Sequence, residues 1–208
     1  MIELHTWDTS NGRKVAILLE ELQLPYRIVP IDLGANEQHS PAFLRLNPYG
    51  KIPAMIDQAA PGGEPVVLFE SGAMLLYLHE KTGRLLPADP AKRPPALSWM
   101  FFGLASAGPV LAELHHYHRH AREQAYGVER ARAEARRVYD VLEQRLATVP
   151  FLGGDDYSLA DIATFPWIAR HDWQEIDLGR YPHVQAWYAA VGSRPAVVRG
   201  MTAMQRHG

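Results

Sequence analysis

Residues 51–83 read KIPAMIDQAAPGGEPVVLFESGAMLLYLHEKTG, the most informative stretch of the chain for its architecture. Two short apolar runs, 51–57 and 66–69, are separated by residues 58–65, which contain Pro61-Gly62-Gly63. Pro-Gly and Gly-Gly pairs between apolar runs punctuate turns, so the two runs are predicted to form a hairpin. Glu70-Ser71-Gly72 then leads into residues 73–81, where Met74, Leu75, Tyr77 and Leu78 recur at helical spacing before Gly83. That is a helix with a glycine stop. The local order is β-β-α.

Working outward, residues 2–7 are predicted as a first strand, and Asp8-Thr9-Ser10-Asn11-Gly12 as a turn rich in N-cap candidates. Val15, Ile17, Leu18, Leu19 and Leu22 give residues 13–22 a helical period, ended by Pro25. Residues 26–33 read as a second strand, and Pro30, which lacks an N–H, places it at an edge. Ser40-Pro41 is a capping serine followed by proline at the first helical position, opening a short helix over 42–46. Residues 1–84 therefore form a β-α-β-α-β-β-α domain, whose early crossovers predict parallel pairing. Four prolines mark residues 85–95 as a linker. Beyond it strand signals vanish. Helical patterns over 96–114, 128–146, 158–170 (with a kink predicted at Pro166) and 183–191, broken by Arg194-Pro195, make residues 96–208 an all-α domain.

The chain has 208 residues, 47% hydrophobic and 21% charged, with Lys+Arg 21 against Asp+Glu 23. The difference, 21 − 23, is a formal charge of −2, which gives no electrostatic footprint for nucleic acid or an anionic membrane. No stretch is read as approaching the ~20 apolar residues of a membrane span, nor the N-terminus as a signal peptide, so a cytoplasmic location is expected. There is no cysteine. Thiol nucleophiles, thiolate metal sites and CxxC redox chemistry are excluded for the chain itself, so any thiol chemistry must use a sulfur on a bound small molecule.

The two-part layout is that of the cytosolic glutathione transferases, and three motifs carry the resemblance. Thr9-Ser10-Asn11-Gly12 resembles the Thr-Pro-Asn-Gly turn of the nu-class bacterial members, the glutathione-dependent disulfide-bond oxidoreductases. Lys51-Ile52-Pro53 resembles the segment carrying the cis-proline of thioredoxin-like folds. Phe69-Glu70-Ser71-Gly72-Ala73 resembles the signature that holds the γ-glutamyl end of glutathione. The resemblance extends through Tyr157-Ser158-Leu159-Ala160-Asp161 to nearly the whole chain.

The chemistry of these residue types agrees. Thr9 and Asn11 lie beside the first helix's N-terminus, where free N–H groups and the positive dipole end favour a thiolate, and each can donate a hydrogen bond to it. These are the expected catalytic residues. The plainer reading makes Asn11 an N-cap. Ser10 stands where the family has proline, so a second hydroxyl competes for the sulfur. Pro53 either opens a strand or, if Ile52-Pro53 is cis as the resemblance implies, lets the Ile52 backbone pair with an extended peptide. Glu70 could accept from an α-ammonium, while Ser71 could cap its helix and bind a carboxylate. The resemblance adds Gln38 and Arg130 as glutathione contacts, and Lys51 could pair with a glycine-end carboxylate, although Lys51 and Arg130 also fit solvated positions. His115-His116-Tyr117-His118-Arg119-His120 contains a chelating spacing but lacks further ligands, so no metal is expected; substrate contact there by His116 or Tyr117 is an open possibility. Ser158 and Asp161 read as a capping box, a folding element.

The resemblance implies glutathione as co-substrate, a homodimer, and thiol–disulfide exchange with possible peroxidase and weak transferase activity on a small disulfide, peroxide or electrophile. Nucleic acid and membrane are not expected partners. One alternative is a conventional transferase conjugating glutathione to an electrophile, with Phe101, Phe102, His116 and Tyr117 in the acceptor pocket. The other is a non-catalytic adapter.

Overall fold

The structure, a computed structural model, describes residues 1–207, with side chains through Gln205. The chain divides into two compact units, Met1–Arg84 together with the stretch from Arg194 onward, and Leu85–Ser193.

In the first unit, β1 (Ile2–Thr6), α1 (Ser10–Leu22), β2 (Tyr26–Pro30), α2 (Pro41–Leu44), β3 (Ala54–Asp57), β4 (Val66–Phe69) and α3 (Ser71–Thr82) follow the order expected from sequence. The sheet order is β2-β1-β3-β4, so Pro30 does lie in an edge strand. β1 and β2 are parallel and β3–β4 is an antiparallel hairpin. β3, however, runs antiparallel to β1, against the expectation that both early crossovers give parallel neighbours. The register explains it. Thr6 pairs with Pro30 and His5 with Ala54, so the chain re-enters the sheet at the end it left. The four residues of α2 rise only about 6 Å, too little to carry the chain back along a strand. Pairing of β3 begins at Ala54 because Pro53 has no N–H to contribute.

The core is aliphatic. Val15, Ile17, Leu18 and Leu19 of α1, Leu4 of β1, Met55 of β3 and Met74, Leu75 and Leu78 of α3 are all 0% exposed. The α2 helix is capped as expected, with Ser40 accepting from the Phe43 N–H at 3.3 Å, and Gly83 ends α3 in the left-handed conformation.

The C-terminal stretch also belongs to this unit. Helices α9 (Pro195–Met201) and α10 (Ala203–His207) follow Arg194, and α9 packs on α1. A Cβ on Gly200 would stand 2.5 Å from Ile17 Cα, so only glycine permits this approach. Arg194 makes a two-pronged pair with Glu21, at 2.6 and 3.0 Å. Arg199 reaches Glu20 at 2.6 Å. By packing, the residues from Arg194 onward group with the first unit, whereas the sequence reading places them with residues 96–193. Pro195 breaks one helix only to start the next, since a proline at the first helical position loses no bond.

The second unit holds α4 (Arg93–Phe101), a π-helical segment (Phe102–Ala107), α5 (Gly108–His120), α6 (Ala125–Leu146), α7 (Leu159–Ile168) and α8 (Pro182–Gly192). α4 starts inside the expected linker, because Pro94 and Pro95 are tolerated in a first turn. The run Arg93–His120 is 28 residues long with a mean hydropathy of 1.3 in its most apolar window. The expectation that no stretch has a membrane span's length and apolarity is corrected there. Its Ala96, Met100, Ala107, Leu111 and Leu114 are fully buried, which a core helix also produces. The capping box forms as expected: Asp161 accepts from Ser158 N at 2.9 Å while Ser158 Oγ accepts from Ala160 N at 3.3 Å.

Candidate functional site

The strand register gathers the candidate residues. His5 pairs with Ala54, and Ala54 with Phe69, so the end of β1, the start of β3 and the end of β4 share one edge of the sheet. Thr9 and Asn11 follow β1, Ile52 and Pro53 precede β3, and Glu70 and Ser71 follow β4. Residues 31–40, including Gln38, leave from the same end, because Pro30 pairs with Thr6. All eight candidates in this unit flank one end of one sheet.

At the start of α1, Thr9 is the N-cap and its Oγ1 accepts from the Gly12 N–H at 3.2 Å. The helix starts three residues earlier than its apolar period suggests. Asn11 is therefore in the first turn and is not the cap. Gly12 is required here, since a Cβ would stand 2.8 Å from the Trp7 carbonyl oxygen and collide with Thr6 Oγ1. The Arg13 guanidinium spans Asp8 at 2.7 and 3.1 Å, closing the turn. No acidic residue lies in the first turn of α1 to offset the helix's positive end.

Accepting through Oγ1 leaves the Thr9 hydroxyl proton to point elsewhere. Asn11 is oriented in the same sense. Lys14 Nζ donates to its Oδ1 at 2.9 Å, which assigns that atom as the carbonyl and leaves Nδ2 as a two-proton donor. Thr9 and Asn11 are partly exposed, whereas Ser10 is only 2% exposed. Lys14 is 1% exposed, with its pKa pushed down to about 7 by burial, against the favourable charge of Glu70. Nothing in the sequence marks a buried cation at this position. Lys14 shares its side of α1 with Ser10, Asn11 and Glu21 as well as Ile17 and Leu18, a mixed face.

The Ile52-Pro53 peptide bond is cis. Ile52 packs its side chain against Ile31, Phe43 and Ala54, and the turn before it is braced by buried Asn47, whose Nδ2 donates to the Lys51 carbonyl at 2.6 Å. Lys51 is exposed, its Nζ 4.6 Å from the Tyr49 ring centre. Glu70 is exposed and held at φ 69° and ψ 113°, a conformation that costs a non-glycine residue about 1–3 kcal/mol. Ser71 does not cap α3. It is the first helical residue, and the capping position is Glu70, whose side chain makes no cap bond. Gln38 Nε2 donates to Asn36 at 3.3 Å, while its Oε1 is buried with no partner among the described residues.

In the helical unit, Arg130 is exposed on α6, 3.9 Å from Glu113. His116 stands 5.4 Å from His120, ring to ring, and His115 stacks on Trp173 at 4.9 Å. No group of three or more metal-ligating side chains occurs among the described residues.

Models of the glutathione S-transferase N-terminal and C-terminal domains match residues 10–81 and 100–195. The chain belongs to the glutathione S-transferase family. The disulfide-bond oxidoreductase YfcG of Escherichia coli is 45% identical over 208 residues, covering 99% of this chain and 96% of that protein. The disulfide-bond oxidoreductase YghU of the same organism is 40% identical, covering 100% of this chain and 76% of its own. Among solved structures, a glutathione transferase of Burkholderia graminis with two glutathione molecules per subunit matches with a TM-score of 0.92 at 42% identity, covering 99% of this chain and 89% of that one. A glutathione transferase of Pseudomonas putida, with one glutathione disulfide per subunit, gives 0.90 at 36% identity, covering 96% and 90%. This chain is an enzyme of the family.

Proposed function

We propose that this protein binds glutathione at the gathered end of the sheet and catalyses thiol–disulfide exchange with a sulfur held as thiolate by Thr9 and Asn11. The observation that carries the reading is the orientation of those two residues, since each has its acceptor atom occupied from within and its proton-bearing atom left for a ligand. Two donors and a helix N-terminus facing one sulfur favour the anion over the thiol. The burial of Ser10 supports Thr9 and Asn11 over that rival.

The rest of glutathione is read onto the neighbouring motifs. Ile52 lies just outside the β3 ladder, where its backbone can pair with the cysteinyl unit. Glu70 takes the α-ammonium and Ser71, at the N-terminus of α3, the carboxylate beside it. Gln38 offers an unpartnered carbonyl, and Lys51 an ammonium for the glycine end. Arg130 rests on the family resemblance alone.

In the reaction the bound thiolate attacks a disulfide RSSR, forming the mixed disulfide and releasing RS⁻. A second glutathione thiolate attacks the mixed disulfide, releasing RS⁻ and glutathione disulfide. Two glutathiones are oxidised and one disulfide is reduced, with no cysteine of the chain involved. Relatives named disulfide-bond oxidoreductases support this acceptor over an electrophile. Peroxide reduction and weak conjugation by the same thiolate belong to the proposal, as do a cytoplasmic location and a homodimer. The edge strand β4 presents Val67 and Phe69, 47% and 42% exposed, as apolar surface for a dimer.

Reduction of 2-hydroxyethyl disulfide by glutathione, followed through NADPH with glutathione reductase, tests the reading. A clear enzyme-dependent rate is expected, with Asn11→Ala lowering it about 100-fold, the size of a lost anion-stabilising donor. Glutathione binding without this activity would point to conjugation instead. Neither binding nor activity would point to an adapter.

A further inference from the structure

Lys14 is the feature of the first unit that folding physics least explains. An ammonium at 1% exposure sits in the first turns of a helix whose neighbouring positions Val15, Ile17, Leu18 and Leu19 are 0% exposed. Burying a charge is unfavourable unless the site uses it, and a well-packed apolar residue would serve the core better. Its amine donates at 2.9 Å to Asn11 Oδ1, and Glu70 supplies the opposing charge acting on it.

We propose that Lys14 is a positioning residue for the bound sulfur, acting through Asn11. This rests on the glutathione reading above and deepens it. Asparagine alone is ambivalent, because a half-turn of its amide exchanges donor for acceptor. A carbonyl aimed at a thiolate would repel it. The Lys14 ammonium removes that choice, since in its charged form it has donors only and can bond the carbonyl but not the NH₂ group. The amide is therefore locked with Nδ2 outward. The lysine's charge also polarises the amide and lies behind it, on the far side from the ligand. Both effects favour the thiolate over the thiol. The charge of Glu70 also acts on Lys14, so an α-ammonium arriving at Glu70 would weaken that attraction and link the two ends of the ligand.

The test is the ultraviolet thiolate absorbance of bound glutathione, titrated against pH in the wild type, Lys14→Met and Lys14→Gln. Glutathione affinity is measured alongside. In the wild type the bound thiol should titrate well below free glutathione. In Lys14→Met its pKa should rise by about one pH unit, a roughly tenfold smaller thiolate fraction at lower pH. The rate should fall by the same factor near neutrality and recover at high pH, while KM for glutathione is unchanged or lower because Glu70 has lost a competing cation. Lys14→Gln, which keeps a donor and loses the charge, should fall between the two. It also carries the comparison if Lys14→Met does not fold. A depressed wild-type pKa that both variants share would overturn the role of Lys14 while leaving the thiolate site standing. A wild-type pKa equal to that of free glutathione would overturn both.

Discussion

Lys14 is 1% exposed in α1, and its burial has a consequence in the ligand-free protein as well. Its pKa is pushed down from 10.5 to about 7 by burial, so the unfolded chain holds a proton that the folded one releases. Between those values the unfolded state binds more protons, and stability from this group rises with pH. At and below about pH 7 the full penalty of a buried ammonium applies. Lys14→Met is therefore predicted to be more stable than the wild type in denaturant unfolding near pH 6. The gain should shrink as the pH is raised towards 10.5. A loss of stability in Lys14→Met at every pH would mean that the amine is there for the fold. Asn47 acts at the same scale. Its Nδ2 bond to the Lys51 carbonyl and its Oδ1 bond to the Tyr49 N–H hold the turn before Ile52. Asn47→Ala should raise KM for glutathione severalfold with a smaller effect on kcat, read from steady-state kinetics.

The hairpin and the helix after it are tied by a buried carboxylate. Asp57, at the end of β3 and 0% exposed, accepts from the Ala59 N–H at 2.9 Å, the Tyr77 hydroxyl at 2.8 Å and the Lys81 ammonium. Burial alone would raise its pKa, but the bonds from Lys81, Ala59 and Tyr77 together hold it below the ordinary carboxylate value of 3.8. A depressed carboxylate contributes stability that is present above the unfolded pKa and lost as the pH falls through the folded one. Acid unfolding should therefore steepen below about pH 4. Lys81→Met leaves the carboxylate buried without its cation and should cost about 3 kcal/mol in urea unfolding at pH 7. Most elements were legible because their apolar spacing is unambiguous. The 51–83 stretch gave β3, β4 and α3, and Ser158 with Asp161 gave the start of α7. The direction of β3 was not legible, because it depends on how far α2 travels and not on the strand's own composition. Nor was the burial of Lys14: a lysine inside a helical pattern reads as a solvated position until packing shows which face it occupies.

Across the chain, the first unit is not contiguous in sequence. Its N-terminal residues are completed by helix α9, seated on α1 at Gly200 and tied by Arg194 to Glu21 and Arg199 to Glu20. That return was hidden in the sequence because Ala196, Val197 and Gly200 look like any short helix, and their partner on α1 is remote in sequence. Gly200→Ala should cost about 1–3 kcal/mol, the range for overpacking, because the added methyl meets the Ile17 backbone, which cannot move aside. The loss would be read as a lower Tm. Seating α1 fixes its N-terminus at the sheet end where Thr9, Asn11, the cis Ile52-Pro53 bond and Glu70 gather, so the site depends on the molecule's last helices as well as its first. The proposed function requires this end of the sheet to hold glutathione as its thiolate. It is tested most directly by titrating the thiolate absorbance of glutathione bound to the wild-type protein. The bound thiol should show a pKa near or below 7, against an ordinary thiol value of about 8.5. A bound thiol that titrates with free glutathione would contradict it.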